Sequence, residues 1–211
     1  MSTSAVDKNG RELDAPAAPV ATGTDGIADP GPLGLGAFAM TTFVLSVFNA
    51  GLLPSTLEAV VLPLALFYGG LAQLLAGMWE FRKANTFGAV AFSSYGAFWL
   101  SFAAYVKFIA PGLPPSSAGT ATGLFLLAWT IFTAYMTVGA LRVNGAVAAV
   151  FVVLVLTFLV LTIAEFAGAA GLVRIGGWLG IITALLAWYA SAAVIINTTW
   201  QRAVLPVWAR R

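Results

Sequence analysis

The sequence predicts an all-α integral membrane protein with six transmembrane helices per protomer and both termini in the cytoplasm. Hydrophobic residues make up 60% of the 211 residues and charged residues only 9%, whereas soluble domains carry about 25% charged residues. Six apolar stretches are each long enough to cross a bilayer, which needs about 20 residues of helix. The basic residues also collect in segments that would lie on one side of the membrane.

The six stretches follow one another with short polar breaks. They cover approximately residues 33–53, 59–79, 86–106, 119–141, 146–164 and 175–196. The break at Asn144-Gly145 leaves room only for a tight helical hairpin. Residues 1–29 are polar and lack an apolar period, so we expect a disordered cytoplasmic tail there. It would precede a transmembrane domain over residues 30–205 and a short basic cytoplasmic C-terminus over residues 206–211.

The basic residues predict the orientation. With both termini in the cytoplasm, two basic residues lie outside, Lys107 and Arg174. Eight lie inside: Lys8, Arg11, Arg82, Lys83, Arg142, Arg202, Arg210 and Arg211. Cytoplasmic loops of membrane proteins carry such an excess of Lys and Arg. We therefore expect a multi-pass protein of the cell membrane, plasma or inner, in this orientation.

The composition also excludes several classes of function. The chain has no cysteine and no histidine, so it lacks the commonest general base and the commonest transition-metal ligand. No Asp lies within the six stretches. We therefore expect no enzyme activity, no catalytic residues, no metal and no cofactor. The net charge is only +2 with scattered basic residues, which argues against a nucleic-acid partner.

The second stretch carries a candidate polar face. Gly69, Gln73, Gly77 and Glu80 recur at spacings of four, four and three residues, so they share one side of a helix. One interpretation is a helix-packing seam joined by one interhelical hydrogen bond from Gln73. The other is that Gln73 lines a pore or contacts a substrate. The sequence leaves both open.

The third stretch places Tyr95 near its midpoint, with Ser94 and Ser101 on nearby turns. A buried phenol needs a hydrogen-bond partner, so Tyr95 belongs either to a pore or to helix packing. Glycines elsewhere allow close helix contacts, within the protomer or between copies. They are Gly119, Gly123, Gly176, Gly177 and Gly180.

The stretch "DPGPLGLGAFAM" begins the first helix at residue 29. Asp29 is a good N-cap, and Pro30 or Pro32 suits a first helical turn. Glycines leave the backbone uncovered there, and a bare helix N-terminus attracts anions. The stretch therefore predicts either an anion site or a tight, packed helix entry.

These residues resemble a known family. "DPGPLGLGAFAMTT" is similar to the N-P-A-P-L-G-L signature of the acetate uptake transporter family, which includes bacterial succinate–acetate permeases and fungal acetate transporters. The likeness continues through "FYGGLAQLLAGMWEFRKANTFGAVAFSSYGAFW", "LAWTIFT" and "GIITALLAWYASAAVIIN", and it covers residues 33–205. The sequence departs from the family at Asp29 for Asn, Gly31 for Ala and Ala84 for Gly.

The resemblance implies six-helix protomers that assemble into homo-hexamers, each protomer with one narrow, uncharged path for acetate and similar small monocarboxylates. Succinate is a further candidate substrate. By local motif the path narrows at Phe38, Tyr95 and Leu154. The expected vestibule and substrate-binding residues are Asp29, Gly31, Leu33, Gly34, Thr41, Thr42, Gln73 and Ser94. The alternative is a membrane acetate sensor without significant flux, and the sequence does not separate a channel from a proton symporter.

Overall fold

A computed structural model describes residues 26–209, and six helices in this part of the chain are long and apolar enough to cross a membrane. They are α1 (Gly31–Asn49), α2 (Ser55–Arg82), α3 (Thr86–Gly112), α4 (Pro115–Ala140), α5 (Gly145–Ala167) and α6 (Ala170–Thr199). No β-strand occurs within residues 26–209. The predicted all-α, six-helix architecture is confirmed. Most of the expected tail, and Arg210 and Arg211 at the C-terminus, lie outside the described residues.

Two helix ends differ from the prediction. The first helix ends at Asn49 rather than near residue 53, and Gly51 follows it with a φ of +74°, a left-handed conformation that glycine adopts without strain. The last helix begins at Ala170 rather than near residue 175, because Gly168 ends α5 at a φ of +61° and the chain turns at once. Apolar composition alone does not mark such turns.

Helices α2 and α3 contain irregular turns that the sequence did not predict. A π-helical segment runs from Leu64 to Ala72 in α2, and another from Tyr105 to Ile109 in α3. A wider turn shifts the face that the following residues present. Gln73 is the first residue after the π-helical segment of α2, where regular α-helix resumes.

Small residues bring neighbouring helices into close contact within the protomer. A Cβ atom built on Gly177 in α6 would lie 2.6 Å from the carbonyl carbon of Asn49 at the end of α1. One built on Gly119 in α4 would lie 2.9 Å from the carbonyl oxygen of Glu165 in α5. Of the two interpretations of these glycines, packing within the protomer is the one that the structure shows at both positions.

Both described ends of the chain lie at the same end of the bundle. Lys83, in the turn after α2, has its Nζ 3.6 Å from Oδ1 of Asp29, just before α1. The backbone N–H of Gly145 donates to the carbonyl of Trp208, close to the last described residue, at 3.0 Å. We call this the terminal end. The opposite, far end carries the turns that follow α1, α3 and α5.

The residues after α6 fold back against the terminal end. The Asn197 side chain accepts hydrogen bonds from the N–H groups of Val204 and Leu205, at 2.7 and 2.9 Å, and donates one to the carbonyl of Leu205. The Tyr189 hydroxyl donates to the carbonyl of Pro206 at 2.6 Å. Part of the segment expected as a short C-terminus thus packs on α6 and on the turn before α5.

Candidate functional site

Two cavities meet inside the bundle. The large cavity, of about 270 Å³, runs toward the far end, where Glu58 and Glu165 line it. The small cavity, of about 20 Å³, lies on the other side of Phe38 and Leu154. These two side chains line both cavities and therefore separate them.

Phe38, Tyr95 and Leu154 lie together at this boundary, and we call them the collar. All three are buried and line the small cavity. The ring centroids of Phe38 and Tyr95 are 5.7 Å apart. The Tyr95 hydroxyl is 2.9 Å from Oγ1 of Thr133 in α4, with which it shares a hydrogen bond. The Tyr95 hydroxyl thus has its hydrogen-bond partner in a neighbouring helix, while the Tyr95 ring lies against Phe38 within the collar.

The collar lies close to the middle of the three helices that carry it. Tyr95 is nine residues after Thr86, and α3 runs on to Gly112. Leu154 is nine residues after Gly145, and Phe38 is seven after Gly31. At 1.5 Å of rise per residue these positions lie about 10–14 Å into the bundle. Phe38 and Leu154 each lie two residues before the middle of their helices, and Tyr95 lies four residues before the middle of α3, which extends beyond the predicted residue 106. That Tyr95 lies near the centre of the bilayer stays a prediction.

Gln73 joins the collar from α2. It also lines the small cavity, and its side chain is 1% exposed. Its Oε1 has no hydrogen-bond partner among the described residues. The glycines of the same face do form a packing seam: a Cβ on Gly77 would lie 2.9 Å from Cα of Ser93, and one on Gly69 would lie 2.8 Å from Cβ of Thr41. The seam exists, but the interhelical bond through Oε1 of Gln73 does not.

One polar face of α1 lines the large cavity. Thr42, Ser46 and Asn49 contribute to it at spacings of four and three residues, in line with Phe38. The Oγ1 atom of Thr42 is buried and has no hydrogen-bond partner in the part of the chain that the structure describes. Sequence reasoning named Thr42 but missed Ser46 and Asn49. Their helical spacing within an apolar stretch is the signal that would have found them.

The start of α1 differs from the expected capping arrangement. Pro30, not Asp29, occupies the N-cap position, and Asp29 lies one residue earlier. The proline side chain has no acceptor, so the helix has no side-chain cap at this position. The Asp29 carboxylate still accepts the N–H of Gly31 at 3.0 Å. It therefore occupies the first free donor of this helix N-terminus itself.

A buried carboxylate lies beside this start. Glu80 is 2% exposed and accepts a hydrogen bond from Nδ2 of Asn85 at 2.9 Å. Asn85 in turn caps α3 by accepting the N–H of Gly88. A Cβ built on Gly31 would lie 3.1 Å from Oδ1 of Asp29 and 3.5 Å from Oε1 of Glu80. Two carboxylates thus flank the entry of α1, with Lys83 beside them.

The other candidate residues lie away from the two cavities. Leu33 is 45% exposed on the outside of the bundle, and Gly34 packs against the ring of Phe92. Thr41 is buried and donates to the carbonyl of Ala37. Ser94 is half-buried and lines neither cavity.

In the described part of the chain, six long apolar helices surround two cavities separated by the buried collar, which defines a multi-pass membrane protein. Residues 10–209 match the GPR1/FUN34/yaaH family. The chain belongs to this family.

Named relatives extend the comparison. The succinate-acetate/proton symporter SatP of Escherichia coli (strain K12) is 37% identical over 185 residues, which cover 88% of this chain and 97% of that protein. Acetate permease A of Emericella nidulans is 42% identical over 197 residues, which cover 85% of this chain and 65% of that protein. Ammonia transport outward protein 2 of Saccharomyces cerevisiae is 47% identical over 173 residues, or 80% of this chain. The chain spans 61% of that yeast protein.

A solved structure has the same fold. The structure of the bacterial acetate channel SatP matches with a TM-score of 0.80 at 38% sequence identity. The match covers 86% of this chain and 99% of that chain.

Proposed function

We propose that the protein is a membrane transporter or channel for acetate and similar small monocarboxylates, with succinate as a further candidate. The observation that carries the proposal is the pair of cavities separated by the collar. From it we infer one narrow path through the protomer. The bacterial and fungal relatives named for succinate, acetate or proton transport support this function over an enzyme or a sensor.

The chemistry of the path favours small acids with apolar tails. No Lys or Arg is among the residues that line either cavity. A bare carboxylate in an apolar constriction is costly because nothing compensates the water that it loses. The protonated acid, or an anion that moves with a proton, therefore crosses more easily. The collar then limits the size of the acid's apolar tail.

The terminal end would carry the cytoplasmic vestibule. We place Asp29, Gly31, Leu33 and Gly34 at its mouth, with Thr41 and Ser94 as further contacts in an opened path. Thr42 and Gln73 would contact the substrate on either side of the collar, since they line the large and the small cavity.

The assembly and location are part of the proposal. We expect a homo-hexamer in the plasma or inner membrane with both termini cytoplasmic. Large apolar side chains stay exposed on the outside of the single protomer, among them Phe67, Leu124 and Val138. Lipid tails and neighbouring copies both cover such surfaces. The mass of the detergent-solubilised protein, measured by native mass spectrometry, should equal six protomers; a monomer would contradict this part.

Uptake of labelled acetate into proteoliposomes tests the proposed function. The purified protein should accelerate uptake over protein-free liposomes of the same lipid, and unlabelled acetate should compete. A sensor without flux would bind acetate yet leave uptake at the protein-free rate.

A further inference from the structure

We propose that the Gln73 side chain recognises the carboxyl group of the passing acid in its neutral, protonated form. The inference rests on the proposed function, since an acid must reach the collar. Gln73 is 1% exposed, and its Oε1 has no partner among the described residues. A buried amide oxygen is costly unless something supplies a donor. The protein keeps this acceptor on the small cavity, beside the collar that separates the two cavities, so the missing donor points to a ligand.

Among the described residues that line the small cavity, Gln73 carries the polar atom that has no hydrogen-bond partner. Nine of the described residues line the small cavity, and apart from Gln73 and Tyr95 they are all apolar. The Tyr95 hydroxyl is already paired with Thr133 at 2.9 Å. The cavity of about 20 Å³ holds about one water molecule and no acetate. An acid must therefore displace collar side chains to enter, and it then meets the amide directly.

The chemistry of an amide selects the neutral acid. A primary amide presents one acceptor and one donor side by side, and a protonated carboxyl group presents the complementary donor and acceptor. The two can form paired hydrogen bonds, and the acid matches either orientation of the amide because it can exchange its two oxygens. A carboxylate offers acceptors alone, so it would leave Oε1 of Gln73 unpaired. No Lys or Arg among the lining residues compensates the charge.

The helix geometry holds the amide at this position. Gln73 follows directly on the π-helical segment Leu64–Ala72, and such segments often occur at functional sites because they redirect side chains. One turn to either side, Gly69 and Gly77 press α2 against Thr41 and Ser93. The packed turns fix the backbone, so the side chain points into the small cavity.

The membrane potential provides the first test. Labelled acetate uptake is measured in proteoliposomes clamped at two potentials with potassium gradients and valinomycin, after subtraction of protein-free liposomes. Uptake of the neutral acid moves no charge, so the protein-dependent rate should be the same at both potentials. A rate that follows the potential would overturn the inference, because it shows that the anion crosses alone.

Substitution of Gln73 provides the second test. Gln73→Leu keeps a similar size and removes both hydrogen bonds, so protein-dependent acetate uptake should fall at least about tenfold. Ser93→Ala is the matched control: Ser93 Oγ is also buried without a partner, but this residue lines neither cavity, and uptake should stay unchanged. Uptake by the Leu variant at the wild-type rate would overturn the inference.

A second variant keeps the test valid if Gln73→Leu does not fold. Gln73→Glu keeps the size and, when protonated, the donor–acceptor pair, whereas ionised glutamate places a charge in the collar. Its uptake relative to the wild type should therefore fall several-fold between pH 5 and pH 8. A ratio that does not change with pH would contradict recognition by paired hydrogen bonds.

Competition by neutral compounds separates recognition from size. Acetamide never ionises and presents a donor beside an acceptor, whereas acetone, of similar size, has the acceptor alone. Acetamide should inhibit labelled acetate uptake in the wild type more strongly than acetone, and this difference should vanish in Gln73→Leu. Equal inhibition of the wild type by acetamide and acetone would overturn this inference and leave the proposed function standing. No protein-dependent uptake by the wild type at all would overturn the proposed function together with it.

Discussion

Leu154 contributes a side chain to the collar from α5, and no charged residue is among the described residues that line the small cavity. Leu154→Ala removes buried volume at the point where the two cavities meet. We expect the path to widen, so that larger acids such as lactate or succinate gain about tenfold relative to acetate. Competition of unlabelled acids against labelled acetate measures this. Leu156→Ala, the same change on the exposed face of α5, is the control and should leave the size preference as it is.

Two further variants divide the roles within the collar. Phe38→Ala should behave like Leu154→Ala, because Phe38 also lines both cavities. Tyr95→Phe keeps the ring and loses only the bond to Thr133, so it should slow acetate without admitting larger acids. If none of the three variants changes rate or size preference, these side chains only pack the bundle.

Asp29 places a negative charge beside the entry of α1, where an arriving carboxylate would be repelled. Asp29→Asn can still accept the N–H of Gly31 and loses only the ion pair with Lys83. The two side chains of this ion pair are about a third to a half exposed. We expect stability to change by less than about 1 kcal/mol and acetate uptake to rise. Lys83→Gln removes the opposite charge, so it should lower uptake; a rise there would exclude an electrostatic cause.

Ala84 adopts a backbone conformation that suits glycine. Its φ is +55° in the turn between α2 and α3, where an L-residue with a Cβ is strained by about 1–2 kcal/mol. Ala84→Gly should relieve this strain. Because glycine also raises the conformational entropy of the unfolded chain, part of the gain is lost, and the net stabilisation should be about 0.5–1 kcal/mol. The melting temperature in detergent reports it. Ala97→Gly on the exposed face of α3 should instead destabilise by about 1 kcal/mol.

At the scale of the helices, contact between α1 and α6 depends on residues without side chains. Gly177 in α6 lies against the end of α1, where a Cβ would fall 2.6 Å from the carbonyl carbon of Asn49. Gly177→Ala should separate the helices and destabilise the protein by about 1–3 kcal/mol. Gly171, near the start of the same helix, has nothing within 4 Å of a built Cβ. Gly171→Ala should therefore stabilise the protein by up to about 1 kcal/mol. Equal melting temperatures of the Gly177→Ala and Gly171→Ala variants would contradict the close packing at Gly177.

At the scale of the whole molecule, the six crossings place both described ends of the chain at the terminal end, and the basic residues predict that this end is cytoplasmic. The native chain has no cysteine, so single cysteines can be labelled without background. Ser116→Cys at the far end should react with an impermeant thiol reagent in intact cells, and Ala203→Cys at the terminal end should react only after lysis. Both positions are exposed. The reverse pattern would mean an inverted protein.

The sequence by itself determined the number of long apolar helices in the described residues, because it contains six apolar stretches of membrane-spanning length. Twenty or so apolar residues in a row have few stable alternatives to a membrane helix. The resemblance to the family supplied Phe38, Tyr95 and Leu154, and these positions do meet in the structure. The helix ends were predicted less well, since turns at Gly51 and Gly168 and the long end of α3 depend on backbone geometry rather than on hydrophobicity.

Only the tertiary structure decided which polar side chains face a cavity and which are already satisfied. Gln73 and Thr41 both lie inside apolar stretches. Thr41 donates a hydrogen bond to its own helix, whereas Oε1 of Gln73, beside the collar, has no partner within residues 26–209. The π-helical segment before Gln73 changes the face that the helix presents, and a regular 3.6-residue period cannot anticipate it. Tyr95 likewise has a hydroxyl whose partner, Thr133, is 38 residues away in the chain. Periodicity identifies the face of a helix, but the neighbouring helices determine what that face contacts.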